Sequence, residues 1–258
     1  APVPLTGSLK IEETRAVPGI SAKLNTIAKI RGEYVIASKY DFWFLNADLS
    51  PKFHAAMDPW FSANVLDLVG ITALDKDAYV LMGSNKSLLR VRQNPEADDV
   101  QGWPNFTAGR SHIEAVGGLG RARIDTERAK FSYIHSSATD GRYVFMATVP
   151  DNKNKKQFVI SKALMKDWML SGEFVPTAEM LKKDRSLGEL YVTGMVYEDG
   201  KLYAVSKNWN VLVVIDVAQE AVVEAWGLPE ELTDIRGLVK DGSTFEVIDA
   251  NRVVKLTM

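Results

Sequence analysis

The chain has 258 residues, 46% of them hydrophobic and 25% charged, with a formal net charge of −2 and no cysteine. That is the composition of a globular protein, long enough for one large domain or two small ones. No basic excess exists to neutralise a phosphate backbone, so nucleic acid is excluded as the main partner, and the lack of cysteine removes disulfides, thiolate metal sites and thiol nucleophiles.

No apolar run approaches the roughly 20 residues that span a bilayer, so no transmembrane segment is expected. The sequence starts Ala1-Pro2-Val3-Pro4. Small residues followed by prolines suit a segment exposed by signal-peptide removal, or the extracytoplasmic domain of a longer anchored protein. A periplasmic or secreted location is therefore expected; an arbitrary start would look the same.

Leu9–Arg15 alternates apolar and polar residues at first and predicts a strand. After it, one signature recurs: a tight turn, an aromatic residue and an apolar strand. It reads Ile30-Arg31-Gly32-Glu33-Tyr34, then Asp75-Lys76-Asp77-Ala78-Tyr79, then Thr139-Asp140-Gly141-Arg142-Tyr143. The fourth copy is Glu198-Asp199-Gly200-Lys201-Leu202-Tyr203, and the fifth is Lys240-Asp241-Gly242-Ser243-Thr244-Phe245. An acidic residue before glycine is the usual chemistry of a hairpin turn. A further strand follows each aromatic one: Phe42–Asn46, Leu88–Val91, Gln157–Ile160, Val211–Asp216 and Arg252–Leu256. Gly70-Ile71, Gly194-Met195 and Gly237-Leu238 precede their turns; the first and third copies carry Asn25 and Ile134 there.

The short spacings, Tyr34 to Tyr79 and Tyr203 to Phe245, fit repeats of about 40–50 residues. The longer ones need insertions, at Asn94–Gly120 and at Pro150–Lys156 with Thr177–Leu187. Thr177 reads as the N-cap of a short helix. Glu189–Pro229 is the cleanest copy and predicts four antiparallel strands. The fifth copy has three strands, and Leu9–Arg15 supplies the fourth. The reading is an all-β, single-domain β-propeller over residues 1–258, its last blade closed by the N-terminal strand. The count is five blades, or six if Val100–Glu127 hides a degenerate copy.

TGMVYEDGKLYAVSKNWNVLVVIDV and IRGLVKDGSTFEVIDANRVVKL resemble propellers of the SdiA-regulated family, clearest over Glu189–Met258. The resemblance implies a bacterial, periplasmic propeller with no assigned reaction. Phytase-like and lactonase-like propellers are similar at this level, but their acidic metal clusters do not map onto this chain.

Candidate ligand-binding residues stand near the glycine-apolar positions, where innermost strands reach the channel mouth: Asn25, Asp67, His135, Tyr191, Thr193, Asp234 and Arg236. Asp67, His135 and Asp234 carry the oxygen and imidazole chemistry of a cation site, calcium being the candidate. The plainer reading is that they satisfy backbone groups at strand ends, and that Asp234 pairs with Arg236. The histidines, His54, His112 and His135, lack close zinc spacing, and His54 is expected on the surface. Gly117–Arg123 invites an anion-loop reading but lacks the strand–turn–helix context. Trp60-Phe61 and Trp103–Phe106 put aromatics in loops, and Asn208-Trp209-Asn210 is expected at a rim.

No catalytic residue is assigned. The expected function is a non-enzymatic extracytoplasmic propeller that binds a protein partner or small ligand at one rim and needs no cofactor. The alternative is a cation-dependent hydrolase of phytase-like or lactonase-like type.

Overall fold

A computed structural model describes residues 6–30, 32–39, 41–56, 67–73, 78–84, 87–93, 113–115, 121–123, 133–149, 152, 157–166, 169–178 and 190–258. The chain opens with β1 (Gly7–Ser8) and β2 (Lys10–Ala16). Next, β3 (Thr26–Ile30), β4 (Glu33–Ala37), β5 (Asp41–Leu45) and β6 (Pro51–Ala56) pair in sequence order. The second sheet holds β7 (Leu68–Ala73), β8 (Ala78–Gly83) and β9 (Ser87–Gln93), with β10 (Ile113–Ala115) and β11 (Arg121–Arg123) both pairing to β9. The third holds β12 (Ile134–Thr139), β13 (Tyr143–Thr148), β14 (Ile160–Leu164) and β15 (Leu170–Phe174). The fourth holds β16 (Gly194–Glu198), β17 (Lys201–Ser206), β18 (Val211–Asp216) and β19 (Ala221–Gly227). The fifth holds β20 (Ile235–Asp241), β21 (Thr244–Asp249) and β22 (Arg252–Thr257).

Both N-terminal strands complete sheets formed later in the chain. β2 pairs antiparallel with β22, and β1 pairs parallel with β19. The first pairing is the closure read from Leu9–Arg15; the second is additional. The first strands of the sheets pack side by side in a ring: β3 on β7, β7 on β12, β12 on β16, β16 on β20, and β20 on β3. This is a β-propeller arrangement, and the described residues contain no helix. Thr177 bridges Ala221 in parallel, its backbone amide donating to the Glu220 carbonyl at 2.8 Å. Residues 179–187 of the expected helix lie outside the described residues.

The sheets are held face to face by period-two strands. In β18, Val211, Val213 and Ile215 join the core shared with the third sheet, beside Phe145, Phe158 and Ile160. Leu212 and Val214 join the opposite core, beside Phe245, Val247 and Val254 of the fifth. A strand buried on both faces reads as a continuous apolar run, which is why VLVVID shows no alternation.

His54 is not on the surface. It is fully buried in β6, stacked on Trp43 with ring centroids 5.0 Å apart, and its Nε2 lies 3.0 Å from Asp41 Oδ1. Arg121–Arg123 forms β11, paired antiparallel with β9. Gly117–Gly120, Trp60-Phe61, Trp103–Phe106 and His112 lie outside the described residues.

A buried polar link ties the N-terminal strand to two sheets. The Tyr34 hydroxyl donates to Glu246 Oε1, and Arg15 Nη2 donates to Glu246 Oε2 at 2.9 Å. Burial, then the hydrogen bond to Glu246 and its charge, pushes the Tyr34 hydroxyl up to about 12 from 10.0. Between these values the unfolded chain gives up this proton while the folded chain keeps it, so stability falls as pH rises through that window. Urea unfolding across pH 10 to 12 is therefore expected to lose stability more steeply in the native protein than in Tyr34→Phe, which has no phenolic proton. Equal slopes would refute the link.

Candidate functional site

Each inner strand is entered by the same four-residue pattern. The segments are Lys23-Leu24-Asn25-Thr26, Asp67-Leu68-Val69-Gly70, Tyr133-Ile134-His135-Ser136, Tyr191-Val192-Thr193-Gly194 and Asp234-Ile235-Arg236-Gly237. The second residue is always a fully buried aliphatic that anchors the strand between sheets. The fourth is always small. The first and third are exposed or half-buried, and residues two apart share a face of extended chain. Backbone irregularities sit at the same level: register shifts fall between Leu68 and Gly70, between Ile134 and Ser136, and between Arg236 and Val239. Such bulges bend a strand and re-aim its side chains.

The small fourth position has a steric cause. A Cβ on Gly194 would lie 2.5 Å from the carbonyl of Gly237, and one on Gly237 would lie 2.6 Å from the amide nitrogen of Ile27. Below this level a central cavity of about 640 Å³ runs between the inner strands, from Thr26, Ser136, Gly194 and Gly237 to Ile30, Tyr197 and Asp241. The expected ligand residues do not line it. They stand one step beyond its end, at the mouth.

There the structure forms two pairs among the expected residues, Asp234 with Arg236 and His135 with Tyr191. Asp234 Oδ2 lies 2.9 Å from Lys23 Nζ, and its Oδ1 lies 3.3 Å from Arg236 Nε, so the expected Asp234–Arg236 pair forms. Burial pushes the Asp234 carboxyl up, but the Lys23 hydrogen bond and the charges of Arg236 and Lys23 outweigh it and hold the group below its ordinary value. Buried Asp249 fixes the segment, accepting from the Asp234 amide at 2.8 Å. His135 meets Tyr191 with ring centroids 5.8 Å apart and planes tilted by 43°. Its Nδ1 is buried without a hydrogen-bond partner among the described residues. Burial first, then the charge of Arg236, lowers the His135 pKa, which keeps the imidazole neutral at neutral pH.

Other candidates have structural duties. Thr193 Oγ1 donates to the Ile235 carbonyl at 2.6 Å, tying β16 to β20. The backbone amide of Asn25 donates to the Ala37 carbonyl at 2.7 Å, and the backbone carbonyl of Asp67 accepts from the Ser84 amide at 2.9 Å, bonds that place the main chain and not the side chains. Asp67, His135 and Asp234 do not converge: no three His, Asp or Glu among the described residues could hold a metal ion together. Trp209 is 4% exposed, so it packs inside rather than standing at a rim, while Asn208 accepts from the Tyr191 amide at 3.3 Å. Two mouth residues were not anticipated: Lys23, and Tyr133, which is 50% exposed. Aligning the copies on the buried aliphatic instead of the glycine finds both.

No family model and no curated protein matches this chain, so the SdiA-regulated resemblance rests on its repeat pattern alone. Solved structures do match. A glutaminyl cyclase from Myxococcus xanthus is similar with a TM-score of 0.62 and 11% identity, over 99% of this chain and 97% of that one. The chain is a β-propeller. An aldose sugar dehydrogenase from Streptomyces coelicolor, in its PQQ-bound form, is similar with a TM-score of 0.53 and 13% identity, over 100% of this chain and 99% of that one. At these identities the likeness of the propeller to both enzymes is one of fold.

Proposed function

We propose that this is an extracytoplasmic, five-bladed propeller, closed by its N-terminal strand, which binds a small ligand at the mouth where the inner strands begin. The five sheets and the closed ring of inner strands support the blade count. The mouth is favoured over the channel body by what each leaves available. At the far end of the cavity the charges are matched, Lys240 to Glu198 at 2.5 Å and Lys29 to Asp241 at 3.9 Å. At the mouth, the exposed ring of Tyr191 meets His135, whose buried Nδ1 has no partner among the described residues, and exposed Tyr133 stands two residues before it. An aromatic surface beside a few unmatched polar groups is the usual make-up of a small-molecule site.

The test is a screen of planar fragments by ligand-observed nuclear magnetic resonance, repeated on Tyr191→Ala and His135→Ala. Loss of ring contacts is expected to weaken mouth-binding fragments by on the order of tenfold. Fragments that bind all three proteins equally would refute the reading. The extracytoplasmic location is tested by fractionating cells that express the whole coding sequence; protein retained in the cytoplasm would overturn it.

A second reading, an enzyme working at the same mouth, is favoured by the neutral His135 beside Arg236 and by the full-length likeness to a glutaminyl cyclase. A glutaminyl cyclase assay addresses it directly: turnover lost in His135→Gln would support it. The calcium-dependent alternative predicts a calcium-dependent rise in melting temperature, and no rise would count against it.

A further inference from the structure

Two of the mouth's charged side chains, Lys23 and Arg236, share one carboxylate, so positive charge is concentrated at this place even though Asp67 also stands at the mouth. Asp234 is the single carboxylate between two cations, with Lys23 Nζ at 2.9 Å from one oxygen and Arg236 Nε at 3.3 Å from the other. One negative charge against two positive ones leaves this cluster at net +1. Arg236 reaches Asp234 through Nε, and its two terminal nitrogens make no hydrogen bond among the described residues. A guanidinium has five N–H donors in a planar fork, so four remain. They are accessible, since the Arg236 side chain is 36% exposed. Across Thr193, His135 leaves Nδ1 unpartnered among the described residues, and Tyr191 presents an exposed ring beside it.

Resting on the mouth as the ligand site, we propose that the ligand carries a carboxylate, received by the terminal nitrogens of Arg236, with an adjoining planar or apolar portion against Tyr191 and His135. A planar anion matches the guanidinium fork with two parallel hydrogen bonds and cancels the net charge of the cluster. Burial is the larger cause of the depressed His135 pKa, and the charge of Arg236 adds to it. A cationic ligand would meet repulsion here, and a neutral one would leave the cluster uncompensated. A free carboxylic acid and the carboxy-terminal residue of a peptide present the same group.

Benzoate and N-acetylphenylalanine serve as probes of those two sources, and benzamide as the uncharged counterpart of benzoate. Binding to the intact protein is read from the imidazole resonances of His135. At least one carboxylate probe is expected to shift them, with benzamide weaker by about tenfold, the size of one charge-assisted hydrogen bond. Arg236→Gln is expected to weaken the carboxylate probe by about the same factor. Arg236→Lys, which keeps the charge without the fork, recovers part of the loss. Lys23→Gln, a change at an exposed side chain, guards against misfolding of the Arg236 variants; it is expected to weaken binding severalfold by taking the cluster to net zero. If benzamide shifts His135 as strongly as benzoate, the mouth binds ligands but the carboxylate assignment falls. If neither carboxylate probe nor benzamide, nor any fragment of the screen, reaches His135 or Tyr191, the mouth itself is refuted as the site.

Discussion

Gly194→Ala and Gly237→Ala are expected to cost far more stability than alanine at a glycine of a surface turn. Three inner strands touch through these two residues. A Cβ added at position 194 would sit 2.5 Å from the Gly237 carbonyl, and the group in its way is backbone, tied to the neighbouring strand by the bond from the Gly237 amide to the Thr193 carbonyl. Gly237 has φ +73, and a Cβ there would sit 2.6 Å from the Ile27 amide nitrogen. Overpacking costs about 1–3 kcal/mol, and left-handed backbone adds about 1–2 kcal/mol for a residue with a Cβ. With backbone in the way the overpacking cost lies at its upper end, so Gly194→Ala should lose about 3 kcal/mol and Gly237→Ala about 4–5 kcal/mol, a large share of the roughly 5–15 kcal/mol of an ordinary domain. Gly200→Ala is the control. It has φ +81 but nothing within 4 Å of an added Cβ, so only the backbone cost applies. Gly70→Ala is the intermediate case: its Cβ would meet the Ser137 hydroxyl, a side chain that can rotate. Urea unfolding ranks the four. Equal losses at Gly194 and Gly200 would mean that the ring is not close-packed there.

The same glycines explain what was legible in the sequence. Gly70, Gly194 and Gly237 recur because strands meeting around a narrow axis leave no room for side chains. Asp140, Asp199 and Asp241 recur because turns need them: Asp140 Oδ1 accepts from the amides of Arg142 and Tyr143, and Asp199 has φ +49. Both are local constraints, so they leave a local trace, and strand order follows from them. The copies without glycine escaped alignment because Thr26 and Ser136 are small enough to fill its place, and Lys23 and Tyr133 were lost with them.

What distant partners decide was not legible. His54 has the residue type of a surface position, but Trp43 and Asp41 across the sheet bury it. Trp209 sits in a polar tripeptide that reads as a rim, yet its ring turns into the core beside Val211 and Leu190. The pairing of β1 involves Gly7 and Ser8, too short a stretch to show a period. At the mouth, polar residues at strand starts were readable, but the sharing of Asp234 by Lys23 and Arg236 was not, because Lys23 belongs to another sheet.

A chain beginning at Val17 is expected to lose most of its cooperative stability, because residues 6–16 hold two sheets rather than one. Thr6 and Leu9 donate their amides to the carbonyls of Ala225 and Gly227 in the fourth sheet, while Lys10–Ala16 pairs with β22 in the fifth. Leu9 is 3% exposed among Leu228, Phe245 and Leu256, and burying a leucine contributes about 1.5–3 kcal/mol. Removing Arg15 leaves the buried Glu246 carboxylate with the Tyr34 hydroxyl alone, a loss of about 1.5–3 kcal/mol. Together these reach roughly 3–6 kcal/mol before the unpaired edge of β22 is counted. Arg15→Ala separates the parts, since it keeps the strand and removes the contact with Glu246. Urea unfolding should place it between the intact and shortened chains. A synthetic peptide of residues 6–17 added to the shortened chain should restore much of the loss by adding its strands back to the open edges. A shortened chain that unfolds at the same urea concentration as the intact one would show that the ring of inner strands closes the propeller without its N-terminal strands.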